Sequence, residues 1–170
     1  MYIITVVLLN TLAISKSTTV KLYETLVLSI LCYNSDMWTL TAETNRQLIV
    51  FEMGCLRRIW ELHAETTSRT QTSKPNSSKK LILYKKIQTS RLRYFGHVTR
   101  MDKCRLPYIA LYGRVEGNKT KGHPRKRWLD NVTEDCKRRG WDIVEATRLA
   151  ADRQYWRSCI RLSQRASASP

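Results

Sequence analysis

Acidic residues, glycine and proline are all scarce in this chain of 170 residues. Only 14 Asp and Glu stand against 30 Lys and Arg, and there are 6 Gly and 4 Pro. Few Gly and Pro together with a hydrophobic content of 42% argue against wholesale disorder. The length suffices for one domain of ordinary size with a buried core.

The few acidic residues do not form the carboxylate cluster with which polymerases and nucleases hold Mg²⁺. Glu134 and Asp135 are adjacent, but on a helix their side chains point about 100° apart, so we expect a solvated helix face. His97 follows an apolar run with no base–nucleophile partner nearby, and we expect it to be packed rather than catalytic. The sequence therefore predicts no catalytic residue, no metal site, no cofactor and no small-molecule substrate.

Close cysteine pairs and long apolar runs are also lacking. Five cysteines at wide, irregular intervals form neither a zinc knuckle nor a redox motif, which favours a reduced, intracellular setting in the nucleus or cytoplasm. The apolar start, residues 1–14, is shorter than the roughly 20 residues that span a bilayer, and it has no basic n-region. We expect a buried helix or strand there, with a weak signal peptide as the alternative, and no membrane partner.

What the chain does have is positive charge, and most of it lies in one span. The formal net charge is +16, and residues 57–128 hold 19 Lys and Arg against 4 Asp and Glu. A merely solvated helix face usually has balanced charge, whereas a local excess of this size is typical of a surface that binds polyanions. Nucleic acid, held mainly through its phosphates, is the predicted partner.

The apolar residues recur at helical spacing, which predicts a mostly α fold of about five helices. In the central helix the residues predicted to face inward are Leu81, Leu83, Tyr84, Ile87, Leu92, Phe95 and Val98. Helices are predicted over residues 18–33, over 42–62 after an N-cap at Thr41, over 79–101, from Pro124 to a stop at Gly140, and over 143–160 after a capping box of Asp142 and Glu145. Pro107 is predicted to end the secondary-structure element that precedes it. A basic loop with three glycines is predicted over residues 112–123.

These segments suggest a division of the chain into four parts. Residues 1–62 form an N-terminal helical segment, and residues 63–78, rich in Ser, Thr and Pro, form a linker. Residues 79–165 form a basic C-terminal helical region, and residues 166–170 form a frayed tail.

Three ordered motifs in the second half resemble reverse transcriptases of non-LTR retrotransposons, in the region after the polymerase palm. RLRYFGHVTRMDKCRLPYIAL (residues 91–111) is similar to the family pattern R-L-R-W-F-G-H-V-x-R-M-x-x-x-R-L-P. GHPRKRWLDNVTEDC (122–136) resembles G-R-P-R-x-R-W-x-D-x-V-x-x-D, and EATRLAADRQYWRS (145–158) resembles E-A-x-x-L-A-x-D-R-x-x-W-R. Upstream, residues 21–41 and 51–60 are similar to the helical stretch after the palm.

The chain departs from the family pattern in places. His123 stands where Arg is usual, Asn34 where Gly is usual and Ser29 where Pro is common, and residues 63–78 match poorly. The paired-aspartate motif and the endonuclease domain of the family would precede Met1. The resemblance implies a helical, thumb-like C-terminal piece of an RNA-directed DNA polymerase that is not itself an enzyme.

Two further interpretations stay open: the C-terminal part of a polymerase whose catalytic half is encoded upstream, and a pseudogene product with no selected role. For the binding interpretation, Trp128 is a candidate to stack on a base or to anchor the core. The candidate phosphate-binding residues are Arg91, Arg93, Lys119, Lys121, Arg125, Lys126 and Arg127.

Overall fold

The computed structural model describes residues 15–66, 82–113, 122 and 125–165. Within these ranges the chain is mostly helical and has no strand, so the predicted all-α class is confirmed. Residues 1–14, most of the glycine loop at 112–123 and the tail at 166–170 lie outside the described residues. The elements are α1 (Lys16–Leu22), a π-helical turn (Tyr23–Val27), α2 (Leu28–Leu31), a 3-10 turn (Ser35–Met37), α3 (Ala42–Thr66), α4 (Ile82–Thr99), α5 (Leu106–Tyr112), α6 (Trp128–Lys137), α7 (Ile143–Ala151) and α8 (Arg153–Arg165).

The described residues divide into two compact units. Unit 1 comprises those of Met1–Tyr33 and Ala42–Lys85, and unit 2 comprises those of Asn34–Thr41 and Lys86–Pro170. Unit 2 therefore includes a short segment that precedes α3 along the chain. Chain order alone does not reveal that residues 34–41 join the C-terminal region.

In unit 1, the first helix begins earlier than the pattern predicts. Ser15 is the N-cap, and its hydroxyl accepts a hydrogen bond from the Thr18 N–H at 3.4 Å. α3 starts at Ala42, as predicted, and extends to Thr66, which is inside the predicted linker 63–78. The rest of that linker lies outside the described residues.

A buried carboxylate links α3 to the start of α4 within unit 1. Glu52 is about 1% exposed, and its Oε1 accepts a hydrogen bond from the Leu83 N–H at 3.0 Å. The backbone of Ile82 also hydrogen-bonds to this carboxylate. Glu52 thus satisfies N–H groups that have no partner inside α4, and its charge lies at the positive end of the helix dipole.

The core of unit 2 is assembled from α4, α6, α7 and α8. Of the seven residues predicted to face inward from the central helix, five are buried: Leu83 in unit 1, and Ile87, Leu92, Phe95 and Val98 in this unit. Tyr84 is only partly buried, and Leu81 lies outside the described residues. Trp156 of α8 packs against Phe95 and Trp141, with ring centroids 6.2 and 5.6 Å apart. Burial raises the pKa of the core thiol, Cys136, to about 12. The buried cluster consists of Leu92, Phe95, Val132, Cys136, Ala146, Ala150, Trp156 and Ile160.

The segment 34–41 is fixed to α6 by side-chain to backbone hydrogen bonds. The Asn131 amide donates to the Leu40 carbonyl at 3.0 Å and accepts from the Leu40 N–H at 3.1 Å. The indole Nε1 of Trp128 donates to the Asp36 carbonyl at 2.6 Å. In this segment, which pairs with no strand among the described residues, side chains thus satisfy backbone groups of Asp36 and Leu40.

The helix predicted to start at Pro124 begins later in the chain than expected, whereas its predicted stop at Gly140 is confirmed. Residues 125–127 are not helical, and α6 begins at Trp128, while Pro124 itself lies outside the described residues. Gly140 follows the helix with φ +80°, and the Trp141 N–H returns to the Cys136 carbonyl at 3.0 Å. This left-handed position after a helix is the one that favours glycine.

The last predicted helix is two helices, because the chain turns at Asp152. Asp152 is extended (φ −87°, ψ 115°), and its Oδ1 accepts from the N–H groups of Gln154 and Tyr155. A side chain that bonds to nearby N–H groups competes with a continuous helix and caps a new one. At the start of α7, Asp142 is the N-cap, but its side chain makes no capping bond, so the predicted box is not formed.

An additional helix, α5, follows α4 after a short turn. Its second residue is Pro107, and Arg105 is its N-cap. Proline is tolerated in the first turn of a helix, where its missing N–H has no intrahelical partner to lose. Pro107 therefore opens a helix rather than only ending the preceding segment.

Candidate nucleic-acid interface

Arg91, a predicted phosphate ligand, is instead a core residue of unit 2. It is about 1% exposed, and its Nη2 and Nε lie 2.6 and 2.8 Å from Oδ2 of Asp135. Its Nη1 lies 3.5 Å from the Trp38 carbonyl. Because its guanidinium is buried against a carboxylate, Arg91 has a structural role and is removed from the candidate interface.

Asp135 is correspondingly buried, which corrects the expectation of a solvated helix face. The side-chain Nε2 of Gln88 donates to its Oδ1 at 2.7 Å, and Nη1 of Arg138 lies 3.8 Å from the same oxygen. Both carboxylate oxygens therefore have donors, as a buried charge requires. Helical spacing predicted the positions of the apolar residues, but it did not distinguish this acid from its exposed neighbour Glu134.

The basic residues before α6 are only partly available to a ligand. Arg125 and Arg127 are exposed. Lys126 forms an ion pair with Glu134, with Nζ and Oε1 2.6 Å apart. The Arg127 backbone N–H donates to the Asp130 carboxylate at 2.7 Å, which caps the helix start. Lys119 and Lys121 lie outside the described residues.

Trp128 is used mainly within the fold. Besides its hydrogen bond to Asp36, its ring meets Tyr94 edge-on with centroids 5.9 Å apart, and it packs against the buried cluster of unit 2. Of its two predicted roles, the structure favours that of a core anchor over that of a base-stacking platform.

Five arginines and one histidine line a cleft of about 560 Å³ in unit 2. Arg93 of α4, one of the predicted ligands, belongs to it. We call this feature the arginine cleft. Its lining residues are Arg93 and His97 from α4, Arg100 directly after α4, and Arg153, Trp156, Arg157 and Arg161 from α8.

Helical spacing explains why these side chains converge. Arg93 and His97 of α4 and Arg100, the residue directly after it, follow at intervals of four and three residues, which places them on one face. On α8, Arg153, Arg157 and Arg161 follow at intervals of four. His97 is exposed on this face, so it is not the packed residue that its sequence context suggests.

No carboxylate among the described residues lines the arginine cleft. Burial lowers the pKa of the Arg100 guanidinium, and the charges of Arg153 and Arg157 lower it further, while Asp152 acts in the opposite direction. Asp152 is itself bound to the first N–H groups of α8. The cleft therefore holds like charges close together, an arrangement that a bound anion would relieve.

Gly96 allows the two helices that line the cleft to approach each other. A Cβ at this position would overlap the Trp156 indole at Nε1, so the ring can pack here only against a glycine. The indole N–H donates to the Leu92 carbonyl of α4 at 3.0 Å. A second hydrogen bond joins the C-terminal end of α4 to α7: Nη1 of Arg100 donates to the Ala150 carbonyl.

The arginine cleft was missed because charge was summed along the chain. Residues 129–170 have a small net charge, 8 Lys and Arg against 6 Asp and Glu, so α8 gave no signal. The spacing of Arg153, Arg157 and Arg161 was a usable signal, since three arginines at intervals of four must share a helix face. The neighbouring acids lie on other faces or cap helices.

Neither a metal centre nor a spanning helix is found in the described part of the chain. Its His, Cys, Asp and Glu side chains form no group of three or more that could hold a metal ion. Among the described helices, none is both long enough and apolar enough to cross a membrane.

No protein-family model, no curated protein and no solved structure matches the chain. The likeness to reverse transcriptases of non-LTR retrotransposons therefore stays a hypothesis based on the ordered motifs in residues 21–158.

Proposed function

We propose that this chain is a nucleic-acid-binding piece of a non-LTR retrotransposon reverse transcriptase, without polymerase activity of its own. The arginine cleft is the observation that carries the proposal. Five arginines lining one cleft, with no carboxylate among its described lining residues, offer charge and bidentate hydrogen bonding to phosphate oxygens.

The proposed ligand set differs from the one that the sequence predicts. Arg93 stays in it, and Arg100, Arg153, Arg157 and Arg161 join it. Arg91 leaves it because of its ion pair with Asp135. Arg125 and Arg127, exposed before α6, stay as secondary phosphate contacts together with Lys119 and Lys121.

The test is a titration of the purified chain with labelled RNA and DNA at several salt concentrations. Micromolar or tighter binding that weakens steeply with salt is expected, because each neutralised phosphate releases counterions. Arg157→Gln should weaken binding several-fold and flatten the salt dependence. Arg148→Gln removes the same charge from an exposed position of α7 outside the cleft and is the matched control.

Two results would count against the proposal. Absence of binding at low salt would refute it. Equal losses in Arg157→Gln and Arg148→Gln would show that only the overall net charge attracts nucleic acid, and that the cleft is not the site.

The ordered motifs also keep open a polymerase whose catalytic half is encoded upstream. An open reading frame 5′ of Met1 with a paired-aspartate motif would favour this alternative, and stop codons would argue against it. A pseudogene product without a stable fold is separated from both by circular dichroism, since a folded domain should show a cooperative helical melt.

A further inference from the structure

We infer that the arginine cleft binds a single strand of nucleic acid with its phosphates inward and its bases outward, in preference to a duplex. This inference rests on the proposed function, and it specifies which form of nucleic acid the cleft accepts and by which groups. Three features of the cleft lead to it: its length, its width and the state of its aromatic residue.

The length of the cleft suits a few nucleotides. At a rise of 1.5 Å per residue, Arg93 to Arg100 covers about 10 Å along the end of α4 and the residue after it, and Arg153 to Arg161 covers about 12 Å of α8. A stacked strand advances about 3.4 Å per nucleotide, so roughly three phosphates pass the arginines. Five guanidinium groups are enough to contact each of these phosphates.

The cleft is too narrow to take in a double helix. Its volume is about 560 Å³, whereas the major groove of B-DNA alone, about 12 Å wide and 8.5 Å deep, encloses a larger space over the same length. A duplex can meet only the arginines at the rim, whereas one strand can enter and be contacted from both α4 and α8.

The lining provides no means of reading bases. Trp156 is about 1% exposed, its N–H is bonded to Leu92, and its ring is packed against Phe95 and Trp141. A base therefore has no open aromatic face in the cleft on which to stack. The remaining lining groups are guanidiniums and one imidazole, which suit phosphate oxygens, so binding should not depend on sequence.

The experiment compares single strands with a duplex, using fluorescence anisotropy. Labelled 12-nucleotide oligo(dT), oligo(rU) and oligo(rA) are titrated against a 12-base-pair duplex at 50 to 200 mM salt. We expect each single strand to bind at least tenfold more tightly than the duplex, and the three to agree within about threefold. A slope of log K against log salt near −2 is expected for about three phosphates at −0.7 each.

A double variant, Arg93→Gln with Arg157→Gln, removes one cleft arginine from each helix. The double variant should lose the preference for single strands, and its slope of log K against log salt should be less negative by about 1.4. Both side chains are exposed, so the variant should fold, which a circular dichroism melt checks. Arg148→Gln should keep the preference.

The outcomes separate this inference from the proposed function. Wild-type binding to neither form refutes the proposed function. Duplex binding as tight as single-strand binding leaves the proposed function intact and overturns the inference, as does a more than tenfold difference among the oligonucleotides. Competition by inorganic tripolyphosphate as effective as by oligo(dT) would also overturn it, since any compact polyphosphate would then suffice.

Discussion

At the scale of single residues, Gly96 has a role that the usual helix preferences would not suggest. Replacing a glycine inside a helix with alanine normally stabilises by about 1 kcal/mol. At Gly96 the added Cβ would overlap the Trp156 indole, which is hydrogen-bonded one turn away to Leu92. The steric cost of overpacking should therefore exceed the gain in helix preference.

We predict that Gly96→Ala lowers the free energy of unfolding by about 1–3 kcal/mol. Gly54→Ala, in α3, should raise it by up to ~1 kcal/mol, because nothing lies within 4 Å of the position of its Cβ. Urea unfolding followed by circular dichroism measures both. Stabilisation by both substitutions would contradict the close contact at Gly96.

Asn34 has a backbone conformation that few residues other than glycine adopt. The residue lies just before the 3-10 turn with φ 56° and ψ 21°, in the left-handed region. Glycine adopts that conformation freely, and asparagine is among the other residues that tolerate it best. Asparagine at position 34 is thus compatible with the turn.

The pair of Arg91 and Asp135 gives a second prediction at this scale. Asp135→Ala should destabilise unit 2 by about 3–5 kcal/mol, because it leaves the Arg91 charge buried without its carboxylate. Glu134→Ala, at the exposed neighbouring position, should change stability by less than about 1 kcal/mol. Thermal melts of the two variants provide the measurement.

A double variant tests whether the pair is structural rather than functional. Arg91→Met with Asp135→Leu replaces both charges with apolar groups and should recover most of the stability lost in Asp135→Ala. It should also bind oligonucleotides like the wild type. Weak binding by a well-folded double variant would return Arg91 to the set of phosphate ligands.

At the scale of elements, the start of α4 depends on Glu52. Burial raises the pKa of this carboxyl group, and its hydrogen bonds to the backbone of Leu83 and Ile82 only partly offset that effect. An acid whose folded-state pKa is raised stabilises fully below its unfolded pKa, near 4.5, and this stability is lost as pH rises through the folded-state pKa. Ionisation of Glu52 at neutral pH therefore lowers the free energy of unfolding.

We predict opposite effects for two substitutions of Glu52. Glu52→Gln keeps an acceptor for the N–H groups but removes the buried charge, so the variant should be more stable than the wild type at pH 7. The difference in the free energy of unfolding should vanish as the pH falls below about 4.5. Glu52→Ala removes the acceptor and should cost about 1–2 kcal/mol at pH 7. Urea unfolding from pH 4 to 7 tests both, and a pH-independent difference for Glu52→Gln would contradict the raised pKa.

Sequence patterns predicted the helices better than the places where helices meet. The start of α3 at Ala42, the left-handed Gly140 and the inward face of α4 all follow from local spacing and backbone preferences. The break at Asp152 was missed because apolar spacing continues through it. Local side-chain capping overrides periodicity at that position.

The site was less predictable than the fold for a physical reason. Whether an arginine contacts solvent or a buried carboxylate depends on a partner far along the chain, as Arg91 and Asp135 show. The arginine cleft likewise requires α4 and α8 to pack together, and this packing depends on Gly96 and Trp156. Composition suggested a class of ligand, but it did not indicate which arginines line the cleft.

At the scale of the whole molecule, the excess positive charge should weaken the fold. The repulsion among Arg100, Arg153 and Arg157 is a local case of it. We predict that Arg157→Gln raises the melting temperature by a few degrees at 10 mM salt, where the Debye length is about 30 Å, and much less at 1 M. A variant that gains stability while losing affinity for oligonucleotides would mark Arg157 as a binding residue, since loss of a structural residue lowers stability.

The path of the chain has a consequence for its synthesis and for its cleavage. Residues 34–41 leave the ribosome before α3, yet the side chains that bind their backbone, those of Trp128 and Asn131, come much later. Unit 2 can therefore close only after α6 has emerged, so folding of this region must await translation of the C-terminal half. By the same logic, a protease that cuts once after α3 should release no free fragment under native conditions, because each piece retains part of unit 2.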